Sequence, residues 1–469
     1  MATTATIRPH VEPQPPAIGG NHNLTTVTET ISRLSLDPKA HGKPWMITFG
    51  LGTLGVLLFL YTVTYLIWMG PGIWGLNIPT AWGFAIINFV WWIGIGHAGT
   101  LISAILLLVH QRWRTSINRF AEAMTIFAVM CAGIFPLLHT GRPWLAYWLY
   151  PFPNNFAMWP QFRSPLAWDV FAVSTYFTVS LVFWYVGLIP DFATLRDVAK
   201  NKLQKRIYGA LSLGWTGSAF NWRRYEKVYL ILAGISTPLV FSVHSIVSFD
   251  FAVSIVPLWH ATIFPPFFVI GAIYSGFAMV LVLGIPMRKW YKLEDFITDW
   301  HLDCSAKVML ASGMMVSFGY LCEVWFAWYS HSAVEWESTV LRVWSGPYAW
   351  SYWALIACNF VIPQVLWIKK MRYNMTVLFL ISIVVLIGMW FERYVIVITL
   401  TREYLPSMWA RYAPTHHDWF IYIGTFGIFF SLFALFVRFV PVISITEMRE
   451  LLPKHAGGQD GHAIAEGPP

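Results

Sequence analysis

From Trp45 to Val440 the chain passes through ten apolar stretches, each of roughly the 20 residues needed to cross a hydrocarbon core of about 30 Å. They fall at approximately 45–69, 82–110, 118–138, 165–189, 225–247, 262–285, 302–330, 347–368, 374–400 and 417–440. Breaks such as Gly70-Pro71-Gly72 and Ile189-Pro190-Asp191 mark several ends. In lipid every backbone polar group must be satisfied within the protein, so continuous apolar spans joined by turns imply a helical bundle. A membrane β-barrel would alternate apolar and polar residues in segments of about ten. The expected fold class is therefore all-α, a polytopic membrane protein of about ten transmembrane helices. Composition agrees: 57% of residues are hydrophobic and 12% charged, about half the charged share of a soluble chain. A soluble enzyme, a disordered chain and a nucleic-acid binder are excluded.

The net charge of +8 is a statement about orientation. With the N-terminus in the cytoplasm, 25 of the 31 Lys and Arg fall on that side. The other six are Arg142, Arg163, Arg342, Arg393, Arg402 and Arg411. Both termini are expected in the cytoplasm. Residues 1–44 are polar, lack the apolar core of a signal peptide, and read as a mostly extended cytoplasmic arm. The basic connection 191–224, with Lys200, Lys202, Lys205 and Arg206, reads as an anchor at anionic lipid. The aromatic segment 142–164 reads as interfacial on the outer side, and 248–261 as a short apolar outer loop. Cys131, Cys304, Cys322 and Cys358 show no C-x-x-C spacing, so no thiolate-held redox centre and no bound metal is expected.

Ionisable residues inside spans are costly and mark function. Counting rise per residue places His139 about 31 Å and His244 about 28 Å above the cytoplasmic ends of their spans. Asp169 lies one turn below the outer boundary, Asp250 just beyond His244, and Glu323, Glu392 and Arg393 at comparable height. Five spans thus converge on the outer half of the bilayer. A thinner lower set comprises His97, Glu122, His301, Asp303 and Lys307, of which all but His97 read as interfacial. The plainest alternative for the upper set is a structural network, Arg393 with Glu392 or Glu323 and His139 with Asp169. The excess of acids over Arg393 favours proton traffic instead. Histidine and carboxylate beside an aromatic, lipid-accessible pocket suit the oxidation of a quinol, whose two hydroxyls must be held and deprotonated. A route from His97 or Lys307 up to Glu323, Glu392 and Arg393 would carry protons.

The runs His97-Ala98-Gly99-Thr100-Leu101-Ile102-Ser103, Phe135-Pro136-Leu137-Leu138-His139-Thr140-Gly141-Arg142-Pro143-Trp144 and Ser164-Pro165-Leu166-Ala167-Trp168-Asp169-Val170 resemble the NrfD-like polysulfide reductase membrane-subunit family. Within that family the ten spans are most similar to the quinol-oxidising membrane subunit of bacterial alternative complex III. The resemblance implies two four-helix bundles plus two flanking helices in the inner membrane. The corresponding units are an arm 1–44, a flanking helix 45–70, a first bundle 71–261 with the quinol site, a second bundle 262–400, a tenth helix 401–440 and a cytoplasmic tail 441–469. It also implies a menaquinol site near the periplasmic side, with His139 and Asp169 as ligands and first proton acceptors, Arg142 close by, and His244 and Asp250 extending it. The implied partners are a peripheral iron–sulfur subunit on the periplasmic side, a homologous NrfD-like membrane subunit, further subunits carrying haem c, and a terminal oxidase; no nucleic acid is involved. Family members include quinone reducers as well as quinol oxidisers. Two readings of other classes remain. A b-type cytochrome would use His97 and His110, 13 residues apart, but no second helix repeats that spacing. A proton-coupled transporter would show a matched pair of unwound helices, which Pro136 and Pro238 do not supply.

Overall fold

The computed structural model describes residues 15–76, 82–150, 162–398 and 412–452. The first part of the N-terminal arm, residues 151–161 of the aromatic segment, Arg402, Arg411 and the end of the C-terminal tail lie outside these. No strand occurs among the described residues. The helices are α1 (Leu24–Leu36), α2 (Lys43–Met69), α3 (Phe84–Leu108), α4 (Asn118–Leu138), α5 (Pro165–Val198), α6 (Lys202–Leu211), α7 (Ala219–Ala252), α8 (Phe264–Trp290), α9 (Asp299–Tyr329), α10 (Ala333–Val340), α11 (Ala349–Trp367), α12 (Met375–Ile398), α13 (His416–Phe439) and α14 (Ile445–Glu450). Among the described residues ten of them are long and apolar enough to cross a membrane, and each overlaps an expected span. The chain is a multi-pass integral membrane protein.

Helices α3, α4, α5 and α7 form one four-helix bundle, and α8, α9, α11 and α12 a second. Helix α8 packs on α3 and α7, and α12 on α3, so the two bundles share a wall. Helices α2 and α13 pair as a flank, with α13 resting on α4. Their axes come close because Gly52, Gly55 and Gly427 present backbone where side chains would collide. The outward face of α2 shows Leu51, Leu54 and Leu57. One end of the assembly, the basic face, carries the turns 109–117, 199–218, 291–298 and 368–374 together with both terminal segments.

The N-terminal arm differs from the extended segment expected. Asn23 caps α1 in a reciprocal box with Thr26, and Val27, Ile31 and Leu34 form a fully buried stripe. That stripe docks on α13 and α14, which are remote in sequence. A helix of 13 residues needs such packing to persist.

Candidate functional site

His97 sits on α3 in the run Gly94-Ile95-Gly96-His97-Ala98-Gly99. Gly99 lies against Ala121 and Thr125 of α4, and Ala98 against Gly276 of α8, which clamps the helix around the imidazole. His97 Nδ1 donates to the Ile93 carbonyl at 2.6 Å. Nε2 of the neutral ring is then an acceptor, and it is buried without a partner among the described residues. Tyr176 of α5 stacks on this ring at 4.7 Å and donates to the Gly96 carbonyl at 2.9 Å. His244 of α7 meets its edge at 4.6 Å. His244 is fully buried, and neither of its nitrogens has a hydrogen-bond partner among the described residues. Leaving such groups unsatisfied costs about 1–3 kcal/mol each, which sets these two imidazoles apart from the hydrogen-bonded polar groups around them. His97, expected in the lower set, belongs with His244. The two helices run antiparallel, and counting from their ends did not reveal that the two imidazoles share a level.

About two turns further from the basic face, Asp169 of α5 and Asp250 of α7 face one another. Asp169 Oδ1 and both Asp250 oxygens are buried and receive no hydrogen bond from the described residues. Two bare carboxylates so placed repel, and a proton or a donor between them relieves that repulsion. Asp169 therefore pairs with Asp250 rather than with His139. His139 caps α4, donates from Nδ1 to the Pro136 carbonyl at 2.6 Å, and stacks on Trp82 at 3.8 Å. Burial lowers its pKa below the ordinary imidazole value. Gly141 makes the tight turn after it at φ +73°, packed against Pro71, and Arg142 is exposed.

The upper residues of the second bundle form their own network. Arg393 is paired with its neighbour Glu392, which accepts from Tyr320 at 2.5 Å. Asn359 donates to the Tyr320 hydroxyl at 2.8 Å from a π-helical turn at Ala357–Val361. The Arg393 guanidinium lies over Phe268 at 5.4 Å and against Gly94 and Gly271. Phe268 in turn contacts His244 at 5.9 Å, so the two groups adjoin across the shared wall. Glu323 pairs with Arg342 at 3.6 Å, not with Arg393. It opens on a cavity of about 260 Å³ where His260 and Glu335 pair at 3.0 Å.

At the basic face the lower set separates. Lys307 is exposed and, with Arg372, clamps Asp303 at 2.6 and 2.7 Å. His301 is fully buried, 3.0 Å from Ser116 Oγ. Glu122 is likewise buried rather than interfacial, tied to Arg119 at 3.2 Å and Tyr229 at 3.3 Å. Arg119, Asp191 and Glu447 are not among the site residues expected from the sequence. The available signal was the Arg119–Glu122 spacing of three on one helix face. No group of three or more metal-ligating side chains occurs among the described residues.

Unpartnered imidazoles and carboxylates buried inside a ten-span helical bundle define an integral membrane protein with a polar cluster in its interior. The family model described as "Polysulphide reductase, NrfD" matches residues 74–401, and the chain belongs to that family. It is 26% identical over 385 residues to a putative dimethyl sulfoxide reductase membrane subunit of Halobacterium salinarum, covering 75% of this chain and 78% of that one. It is 22% identical over 380 residues to the Hdr-like menaquinol oxidoreductase integral membrane subunit of Archaeoglobus fulgidus, covering 75% and 82%. A selenate reductase subunit of Mesobacillus selenatarsenatis is 22% identical over 211 residues, 44% of this chain and 48% of that one.

Proposed function

We propose that this chain is the quinol-oxidising membrane subunit of a respiratory complex of the alternative complex III type, binding menaquinol in the first bundle. The observation that carries this reading is the set of buried, unpartnered acceptors and ring nitrogens at His97, His244, Asp169 and Asp250. A quinol presents two hydroxyl donors, and these acceptors are of matching chemistry. Support also comes from the relative named a menaquinol oxidoreductase subunit.

In this reading the Asp169–Asp250 pair receives a proton from one hydroxyl, and the neutral imidazole at His139 or His244 receives the other. His139 also positions Trp82 as a wall for the ring. Arg142 follows His139 by three residues and is exposed at the same end of α4. The site lies toward the periplasmic side, and electrons leave to an iron–sulfur partner and then to c-type haems and an oxidase. A second NrfD-like protein makes up the rest of the membrane part. Across the shared wall, Arg393, Glu392 and Tyr320 relay charge to Glu323 and the cavity beyond it, so that quinol oxidation moves protons through the second bundle. Lys307 serves as an anchor of the basic face, with Asp303 and Arg372.

One experiment tests both parts. The complex, purified with its partners and reconstituted in vesicles, is supplied with a short-chain menaquinol. Asp169→Asn and Asp250→Asn are expected to lower turnover about 100-fold or more while assembly persists. Glu392→Gln is expected to lower the proton-to-electron ratio. Wild-type turnover in both aspartate variants refutes the site, and an unchanged ratio removes the second-bundle route.

A further inference from the structure

At the end of the molecule opposite the basic face, residues 253–263 join α7 to α8 and so connect the two bundles. Trp259 anchors this connection, donating from its indole to the Ile396 carbonyl of α12 at 2.8 Å and meeting Phe251 edge-on at 4.8 Å. The Leu258 amide donates to Glu335 Oε2 of α10 at 3.1 Å. His260 Nε2 lies 3.0 Å from Oε1 of the same carboxylate. Glu335 therefore grips the connection at two places. Between them the backbone is strained: Leu258 stands at φ +64°, a left-handed conformation that a leucine keeps only where its surroundings hold it.

The surroundings of the His260 ring fix how many protons this grip needs. Nδ1 lies 3.0 Å from the Val256 carbonyl, which can only accept, so the single ring hydrogen of a neutral imidazole sits on Nδ1. Nε2 would then turn a lone pair toward a carboxylate oxygen 3.0 Å away, and the two would repel. One further proton, on Nε2 or on the carboxylate, makes the contact attractive. The His260 side chain is 48% exposed, so that proton exchanges with the surrounding water. The pair also bridges the two walls of the cavity of about 260 Å³. Leu258, His260 and Thr262 belong to one wall, and Glu323, Ala327 and Arg342 to the other. Glu323 and Arg342 are the remaining charged groups among the described lining residues, and they lie 3.6 Å from each other. From α12 the connection meets the uncharged Ile396 carbonyl.

We infer that His260 and Glu335 share one proton as a clasp, which holds the 253–263 connection over the Glu323 cavity while the proton is bound and releases it when the proton leaves. Loss of the proton brings the lone pair and the carboxylate into repulsion. Glu335 then turns from the connection, the Leu258 amide loses its acceptor, and Leu258 relaxes out of its left-handed conformation. The connection lifts from α10, and water enters beside Glu323. Opening breaks one N–H or O–H bond and passes that proton to water; no electron moves. The clasp stands whatever the first bundle binds, whereas its bearing on proton release from Glu323 rests on the second-bundle reading above.

Two measurements on the full chain in its complex test the clasp. Hydrogen–deuterium exchange, corrected for the intrinsic effect of pH, follows segment 253–263 at about pH 5.5 and about pH 8, within the span over which an imidazole changes charge. The wild-type segment should lose about threefold or more of its protection at the higher pH, the scale of an ion pair at a partly exposed site. His260→Gln and Glu335→Gln should each lack this step. Ala327 is 4% exposed on the cavity wall. In a background freed of the native cysteines, Ala327→Cys should react with a maleimide about threefold or more faster, at one fixed pH, once Glu335→Gln is added. Equal wild-type protection at the two pH values, or a step that survives in either variant, overturns the clasp. An unchanged labelling rate at Ala327→Cys overturns the closure of the cavity. If the clasp behaves as expected while Glu392→Gln leaves the proton-to-electron ratio unchanged, the second-bundle route falls and the clasp stands.

Discussion

At the scale of single residues, His139 yields the sharpest expectation about pH. Burial lowers its pKa, so the imidazole is neutral around pH 7 and free to accept a proton. Acidification charges it and removes that capacity. The acidic limb of quinol turnover should therefore lie below about pH 6.5, the ordinary imidazole value, and the rate should rise with pH through that limb. A limb at or above that value, or one that persists unchanged in His139→Gln, would separate His139 from proton acceptance. The sequence made most of these residues visible because ionisable groups in apolar spans are rare. What it could not show was partnership. Asp169 meets Asp250 on a different helix, and Glu323 meets Arg342, pairings that depend on helix rotation. Glu122 reads as interfacial from its distance to the span's end, and it is buried because Arg119 folds over it and the C-terminal segment closes the cluster.

At the scale of elements, the number and order of the spans were legible, because hydropathy acts locally, but not all their ends. Helix α5 runs through Pro190 to Val198 instead of ending at the Ile189-Pro190-Asp191 break, and α7 extends from Ala219 to Ala252, into the expected outer loop. The π-helical turns and α1 were not legible, since each depends on what packs against it. The α2–α13 seam shows how a single atom governs an element. A Cβ at Gly427 would collide with the backbone of Gly55 and Val56, whereas one at Gly50 meets nothing within 4 Å. Gly427→Leu should thus destabilise the flank by about 1–3 kcal/mol, as overpacking does. Gly50→Leu should stay within about 0.5 kcal/mol of the parent. Thermal unfolding of the purified protein in detergent compares them directly, and equal melting of the two would show that the seam is not closely packed.

At the scale of the whole molecule, the polar groups form two strips that meet at the wall between the bundles. One runs through the first bundle from Asp250 past His244 and His97 to Glu122 and Asp191. The other crosses by Phe268 and Arg393 to Glu392, Tyr320 and Glu323. Which end faces which compartment is a prediction from the distribution of Lys and Arg, since basic loops tend to be retained in the cytoplasm. With 25 of 31 expected on the cytoplasmic side, inverting the molecule would require translocating nearly all of them. The aspartate pair would then lie toward the periplasm and the Arg119–Asp191 pair toward the cytoplasm. Single cysteines in a background freed of the native four test this arrangement. Lys205 lies on the basic face and is exposed, while Ile255 in the opposite loop is 96% exposed. In intact cells a membrane-impermeant maleimide should label Ile255→Cys and leave Lys205→Cys untouched until the membrane is opened. The reverse pattern would turn the molecule over and would exchange the compartments served by the two strips.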